Sequence, residues 1–243
     1  MEAVMRFQDH GHSRAEIADR IGNPVGNGVL RDAIYGAIDG TVTTFAIVAG
    51  VVGAGFSPYV IVVLGLANVL ADGYSMAAAN YSGAKAERDN AERIRKIEER
   101  HIKVYPDGER IEVREILGRM GLQGQVLEDA TEMITRDKEA WIALMMEGEY
   151  GLGRIEPRPM TAALTTFAAF LSAGMIPLLP FLLLMENAFL LSAFATMVTF
   201  FGIGAAKSNW SLASWWRSGG ETMAIGGTAA GLAYLVGSLL SVH

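Results

Sequence analysis

Cysteine is absent from the 243 residues, which excludes a disulfide framework and a thiolate metal site. Any sulfur ligand must come from the 12 methionines. Charge is scarce as well: 19% of residues are Asp, Glu, Lys or Arg, against about 25% in an ordinary soluble domain. Residues 1–28 mix both charge signs and lack the short apolar core of a secretory leader. There is no internal repeat and no low-complexity tract. The net charge of −6 argues against nucleic acid as a partner and favours cations.

What is present is apolar and segregated. Hydrophobic residues make up 51% of the chain, and mean hydropathy is +0.28. From Ala33 to Gly83 the only carboxylates are Asp39 and Asp72, whereas 85–158 carries 17 acidic and 14 basic residues. After Met160 the chain turns apolar again, with Glu186, Lys207, Arg217 and Glu221 as its acids and bases before His243. Two solvents are implied, lipid and water.

A helix crossing a bilayer needs about 20 mostly apolar residues. Stretches 33–55, 58–83, 160–184, 187–207 and 222–242 qualify. The first pair is joined by Gly55-Phe56-Ser57-Pro58, and the third meets the fourth at Met185-Glu186-Asn187. Neither turn leaves room for a domain. The fold class expected is therefore an all-α membrane protein: five transmembrane helices, with a helical domain inserted between helices 2 and 3. The divisions are an N-terminal segment 1–30, helices 1 and 2 over 31–84, the insert 85–158, and helices 3–5 over 159–243.

Lysine and arginine set the orientation. All 20 lie in the N-terminal segment to Arg31, in the insert, or at Lys207 and Arg217 between spans four and five. With five spans these regions share one side, expected to be the cytosol. Within the insert, span two continues as helix to about Ile102 and stops before Tyr105-Pro106-Asp107-Gly108. Further helices are expected over 109–120, over 125–136, and from Asp137 to near Gly151, with Pro157 and Pro159 marking re-entry. At the N-terminus, Arg6, Arg14 and Arg20 with Ile17 and Ile21 suit a short amphipathic helix on the membrane surface or a solvated tail.

Candidate functional residues follow from cost. A carboxylate inside a span is expensive and by default marks an ion or proton path. Asp39 lies so in span one, with Thr43 one turn on. Gly36 and Gly40 form a small-xxx-small pair that lets another helix come close. Span two carries Asn68, Asp72, Met76 and Asn80 at i, i+4 spacing, one stripe of oxygen and thioether groups. The stripe suits a transition metal; hydrogen bonding between helices accounts for it equally well.

In the insert, Glu98 and His101 are i, i+3, as are Glu112 and Glu115, and each pair points one way from its helix. An antiparallel hairpin brings the pairs together. The last helix adds Met145, Met146 and Glu149. Carboxylate, imidazole and thioether suit first-row divalent ions better than Ca2+ or Mg2+, although glutamate-rich surface helices and paired methionines usually serve solvation and core packing.

The stretch from Asp39 through Gly50 (DGTVTTFAIVAG), Ser75-Met76, and Trp141 through Leu152 (WIALMMEGEYGL) resemble the vacuolar iron transporter family. The resemblance runs from Arg31 to the C-terminus. It implies five spans, a cytosolic metal-binding domain between spans two and three, and a homodimer in the lipid bilayer. It implies export of Fe2+, and often Mn2+ or another divalent ion such as Co2+ or Zn2+, from the cytosol in exchange for protons, with no prosthetic group and no enzymatic step. The family's intramembrane metal ligands fall on Asp39 and Met76. Its cytosolic ligands fall on Glu98, Glu112, Glu115, Met145, Met146 and Glu149. Asn68, Asp72, Asn80 and His101 depart from the family's usual residues, and His101 brings an imidazole where a glutamate is usual. A chain so short and free of cysteine fits a bacterial inner membrane; a eukaryotic homologue would lie in the vacuole.

Two rival functions remain open on sequence. Glu98-Glu99-Arg100-His101 spells Glu-x-x-His, a ligand pair of di-iron ferroxidases and iron-storage proteins, yet His10, His12 and His243 lie in no second such motif. A metal sensor without transport would need no Asp39 or Asp72 in the bilayer.

Overall fold

The computed structural model describes residues 13–22, 28–153 and 157–240. Arg6, the side chain of Arg20, and His10, His12 and His243 fall outside them. All regular structure among the described residues is helical. The helices are α1 (Arg14–Gly22), α2 (Gly28–Gly53), α3 (Pro58–Val104), α4 (Pro106–Arg119), α5 (Gly124–Arg136), α6 (Lys138–Gly148), α7 (Pro159–Met175), α8 (Leu179–Leu182), α9 (Ala188–Lys207) and α10 (Trp215–Leu240). Short 3-10 turns at Ile176–Leu178 and Ser208–Trp210 connect α7 to α8 and follow α9. Among the described residues, five helical stretches are long and apolar enough to cross a membrane: Gly28–Gly53, the α3 helix, Pro159–Leu182, Ala188–Trp210 and Trp215–Leu240.

The chain divides into two compact units, one of residues 27–85 with 158–243 and the other of 86–157 with the N-terminal segment. In the first, α2 packs against α7, α9 and α10. Its core is Phe45, Val48, Val51, Ile61, Val69, Leu178, Phe181 and Ala230. Gly36 and Gly40 meet the backbone of α7: a β-carbon on Gly40 would stand 2.5 Å from the Phe170 carbonyl oxygen, and one on Gly36 would collide with that of Thr166. The small-residue pair thus has α7 as its partner helix. Outward-facing Leu190, Phe194, Val198, Leu232 and Leu239 are exposed, which suits hydrocarbon as the surrounding solvent.

Two span boundaries differ from expectation. Pro177 and Pro180 break the third apolar stretch into α7, a 3-10 turn and α8, because each proline removes a backbone donor and crowds the preceding turn. The last span begins at Trp215 rather than 222. Arg217 and Glu221 lower hydropathy there without breaking a helix.

The second unit is built on α4, α5 and α6. Val113, Leu117, Leu127, Trp141 and Met145 form its core, backed by Ile102, Ile116 and Leu122. Asp137 caps α6, its Oδ1 accepting from the Glu139 N–H at 2.9 Å and the Ala140 N–H at 3.3 Å. The helix expected over 109–120 begins at Pro106. Proline is pre-set for the first helical position, and Asp107 and Glu109 complement the helix dipole there. That shift places Glu109 inside the helix.

Candidate metal centre

In α4, Glu109, Val113 and Leu117 follow one another at i, i+4 and are the buried residues. The apolar stripe that builds the core therefore carries Glu109 inward. In α3, Glu98 is 1% exposed, and Glu109 is 5% exposed. Together with His101 they each offer a ligand atom within 4.8 Å of the other two. The His101 Nδ1 lies 3.4 Å from Glu109 Oε1, and the Tyr150 hydroxyl donates to Glu98 Oε1 at 3.0 Å.

Glu98 Oε2 and Glu109 Oε2 are both buried without a hydrogen-bond partner. Leaving a buried acceptor unmade costs about 1–3 kcal/mol, and more when it is charged. Burial, followed by the negative charges of Glu112 and Glu98, the close approach of the Glu98 carboxyl itself and the charge of Glu149, pushes the Glu109 carboxyl up to about 7, where a shared proton would join the two carboxyls that otherwise leave an oxygen each unpartnered. Glu149 is raised by burial and by Glu112 and Glu98. Tyr150 is raised as well, chiefly by burial and its hydrogen bond to Glu98. The cluster strains to hold its own negative charge. A divalent cation relieves both the repulsion and the two orphaned oxygens, and mixed carboxylate and imidazole donors suit a first-row metal.

The other expected ligands distribute unevenly. Glu112 is exposed but near enough to raise both Glu109 and Glu149. Glu115 points elsewhere: its side chain is 67% exposed and pairs with Arg119 Nε at 3.1 Å. Met145 is fully buried in the core, and Met146 is half-buried. Glu109 is not among the ligands expected from sequence, where it stands at the first position of the helix expected over 109–120. Its phase with Val113 and Leu117 was the available signal.

In the membrane-type unit, Thr43 donates to the Asp39 carbonyl at 2.9 Å and accepts from Asn68 Nδ2 at 3.3 Å. Asp39, Asp72 and Met76 are each half-buried, and the Asp39 and Asp72 carboxylates are close enough to repel one another. Ser75 Oγ donates to the Asp72 carbonyl at 2.9 Å and approaches its Oδ1 at 3.3 Å. Asn80 Nδ2 is engaged with Thr166 Oγ1 at 2.7 Å, so it ties α3 to α7. A further carboxylate, Asp32, is buried, with Oδ1 lacking a hydrogen bond and Arg31 Nη2 at 3.5 Å. Asp32 lies one residue before the apolar stretch 33–55 and precedes Asp39 by two helical turns.

The family model described as the VIT family matches residues 30–238. The chain belongs to the VIT family. Vacuolar iron transporter 1 of Arabidopsis thaliana is 33% identical over 215 residues, covering 87% of this chain and 86% of that protein. The protein of the same name from Oryza sativa subsp. japonica is 34% identical over 209 residues, 85% and 83% of the two chains. A vacuolar iron transporter of Toxoplasma gondii is 32% identical over 225 residues, 88% and 74%. This VIT-family chain is an integral membrane protein, and the family match over residues 30–238 takes in the five apolar spans and the 86–153 helices between them.

Proposed function

We propose that this VIT-family chain exports divalent metal from the cytosol in exchange for protons, with Fe2+ as the principal cargo and Mn2+, Co2+ or Zn2+ as further ions. The observation that carries the reading is the meeting of Glu98, His101 and Glu109 around two buried, unpartnered carboxylate oxygens. The names of the relatives, vacuolar iron transporters, support iron as cargo. In this account the 85–158 domain collects the ion, with Glu98, His101, Glu109, Glu112 and Glu149 supplying donors or negative field. Asp39, Asp72 and Met76 then carry it across the membrane. Carboxylates that release metal on the far side take up protons, which links the two fluxes.

The lysine and arginine distribution supports an N-terminus and an 85–158 domain on the cytosolic side, and the membrane in this reading is a bacterial inner membrane. The working assembly is a homodimer, and no covalent chemistry is assigned to it. Reconstituted protein given Fe2+, Mn2+, Co2+ and Zn2+ under an imposed pH gradient tests the reading. Gradient-driven Fe2+ uptake is expected. A flux indifferent to the gradient contradicts proton exchange, and oxygen consumption on adding Fe2+ favours a ferroxidase.

A further inference from the structure

The Tyr150 ring is not core filler, since the residue is 38% exposed. Its place is nevertheless fixed by the backbone. Helix α6 ends at Gly148, Glu149 caps it, and the chain reverses through Gly151 at φ 66°, a left-handed conformation natural to glycine. The Gly151 N–H donates to the Glu147 carbonyl at 3.2 Å, and the Leu152 N–H to that of Met146 at 2.9 Å. This ending sets the Tyr150 hydroxyl beside two carboxylates, Glu98 at 3.0 Å and Glu149 close by. A phenol carries one proton to donate, and it is spent on Glu98 Oε1. The other oxygen of that carboxylate, Oε2, is buried and unpartnered, in the group whose ligand atoms converge with those of His101 and Glu109.

We propose that Tyr150 is a positioning residue of the metal centre, holding Glu98 by Oε1 so that the carboxylate presents Oε2 alone to a divalent cation. Without the hydroxyl, Glu98 is free to rotate and to present both oxygens. The hydrogen bond thus narrows the site to one-oxygen ligation by Glu98, and it lowers the reorganisation needed when the ion arrives. Partners that orient a metal ligand in this way typically contribute about 10–100-fold in affinity. The inference rests on the reading of the cluster as a metal centre.

The test is a Co2+ titration of the full-length protein in detergent, with wild type, Tyr150→Phe, Glu98→Ala and the double variant. Glu98→Ala identifies which binding event belongs to this cluster. Tyr150→Phe removes one oxygen atom, and an unchanged melting temperature of the metal-free protein shows that the fold is kept. The expected result is about tenfold weaker Co2+ binding, with a changed visible Co2+ spectrum, for Tyr150→Phe in the wild-type background. In the Glu98→Ala background the same substitution should change affinity less than about twofold, because its effect passes through the missing carboxylate. Equal losses in both backgrounds would overturn the proposal, as would wild-type affinity in Tyr150→Phe. If Glu98→Ala leaves Co2+ binding untouched, the metal-centre reading itself falls, and the role of Tyr150 falls with it.

Discussion

Glu109 on α4 faces Glu98 on α3, and each keeps one buried carboxylate oxygen without a hydrogen-bond partner. Two like charges shut away from water oppose folding unless a proton or a cation comes between them. The His101 Nδ1 stands 3.4 Å from Glu109 Oε1. The arrangement is less stable by itself than an apolar core would be, which fits the proposed role of the cluster in holding a cation.

Proton and metal must compete there. Burial first, then the neighbouring carboxylates, raise Glu109 from its ordinary value of 4.5 to about 7. A raised folded pKa means that the folded chain holds this proton better than the unfolded chain does. Its stabilising effect is full below 4.5 and is lost as pH rises through about 7. The metal-free protein should therefore lose melting temperature across that window, and Glu109→Gln should flatten the dependence. Metal affinity should run the opposite way, rising with pH as the competing proton leaves. Calorimetry in buffers of different ionisation enthalpy would report the proton released on binding near neutral pH.

The two α4 glutamates should separate cleanly. Glu109→Gln removes a buried charge at the cluster and should weaken Co2+ binding by at least about tenfold, given that even supporting partners of metal ligands contribute this much. Glu115→Gln alters an exposed side chain already paired with Arg119, and surface ion pairs contribute about 0–1 kcal/mol. It should bind as wild type does. A large loss from Glu115→Gln with none from Glu109→Gln would return the site to the arrangement expected from sequence.

Met145 divides packing from ligation. It is fully buried among Val113, Leu117, Leu127 and Trp141, so Met145→Ala should cost about 2–5 kcal/mol. Met145→Leu keeps the volume and should cost less than about 1.5 kcal/mol. If the sulfur is only core, Met145→Leu binds Co2+ normally; a folded Met145→Leu protein with weakened binding assigns the thioether to the metal. Denaturant unfolding and metal titration of the same samples supply both answers.

Much of this was legible from the chain. Segregated charge located the five apolar helices, and the Gly36 and Gly40 spacing announced a close helix contact, met here by Thr166 and Phe170. Glu98 and His101 were legible because they lie in a long unbroken helix, where spacing translates directly into direction. Glu109 was not, because Pro106 and Gly108 read as a turn while proline at a first helical position also starts a helix. Starting the helix at Pro106 brings Glu109 into it, on the face of Val113 and Leu117, while Glu115 stays on the exposed face. The engagement of Asn80 with Thr166 depends on a partner 86 residues away, which periodicity within one helix does not reveal.

The contact between α2 and α7 offers a check on the membrane-type unit. Gly36→Ala should lower the melting temperature in detergent, since its β-carbon meets the Thr166 carbonyl and Phe170 backbone rather than a yielding side chain; overpacking of this kind costs about 1–3 kcal/mol. Gly202→Ala, with nothing within 4 Å of the added carbon, should be neutral or stabilising. Equal effects from the two would dismiss the close approach.

Fe2+ uptake into proteoliposomes is the sharpest check on the proposal that metal crosses the membrane by way of Asp39 in exchange for protons. Wild type and Asp39→Ala are compared under an imposed pH gradient, with Co2+ binding by the 86–157 cluster and the melting temperature as checks that both proteins are intact. Gradient-driven uptake is expected of wild type and its loss in Asp39→Ala, while the cluster still binds Co2+. Fe2+ uptake by Asp39→Ala at the wild-type rate, or wild-type uptake that ignores the gradient, would contradict it.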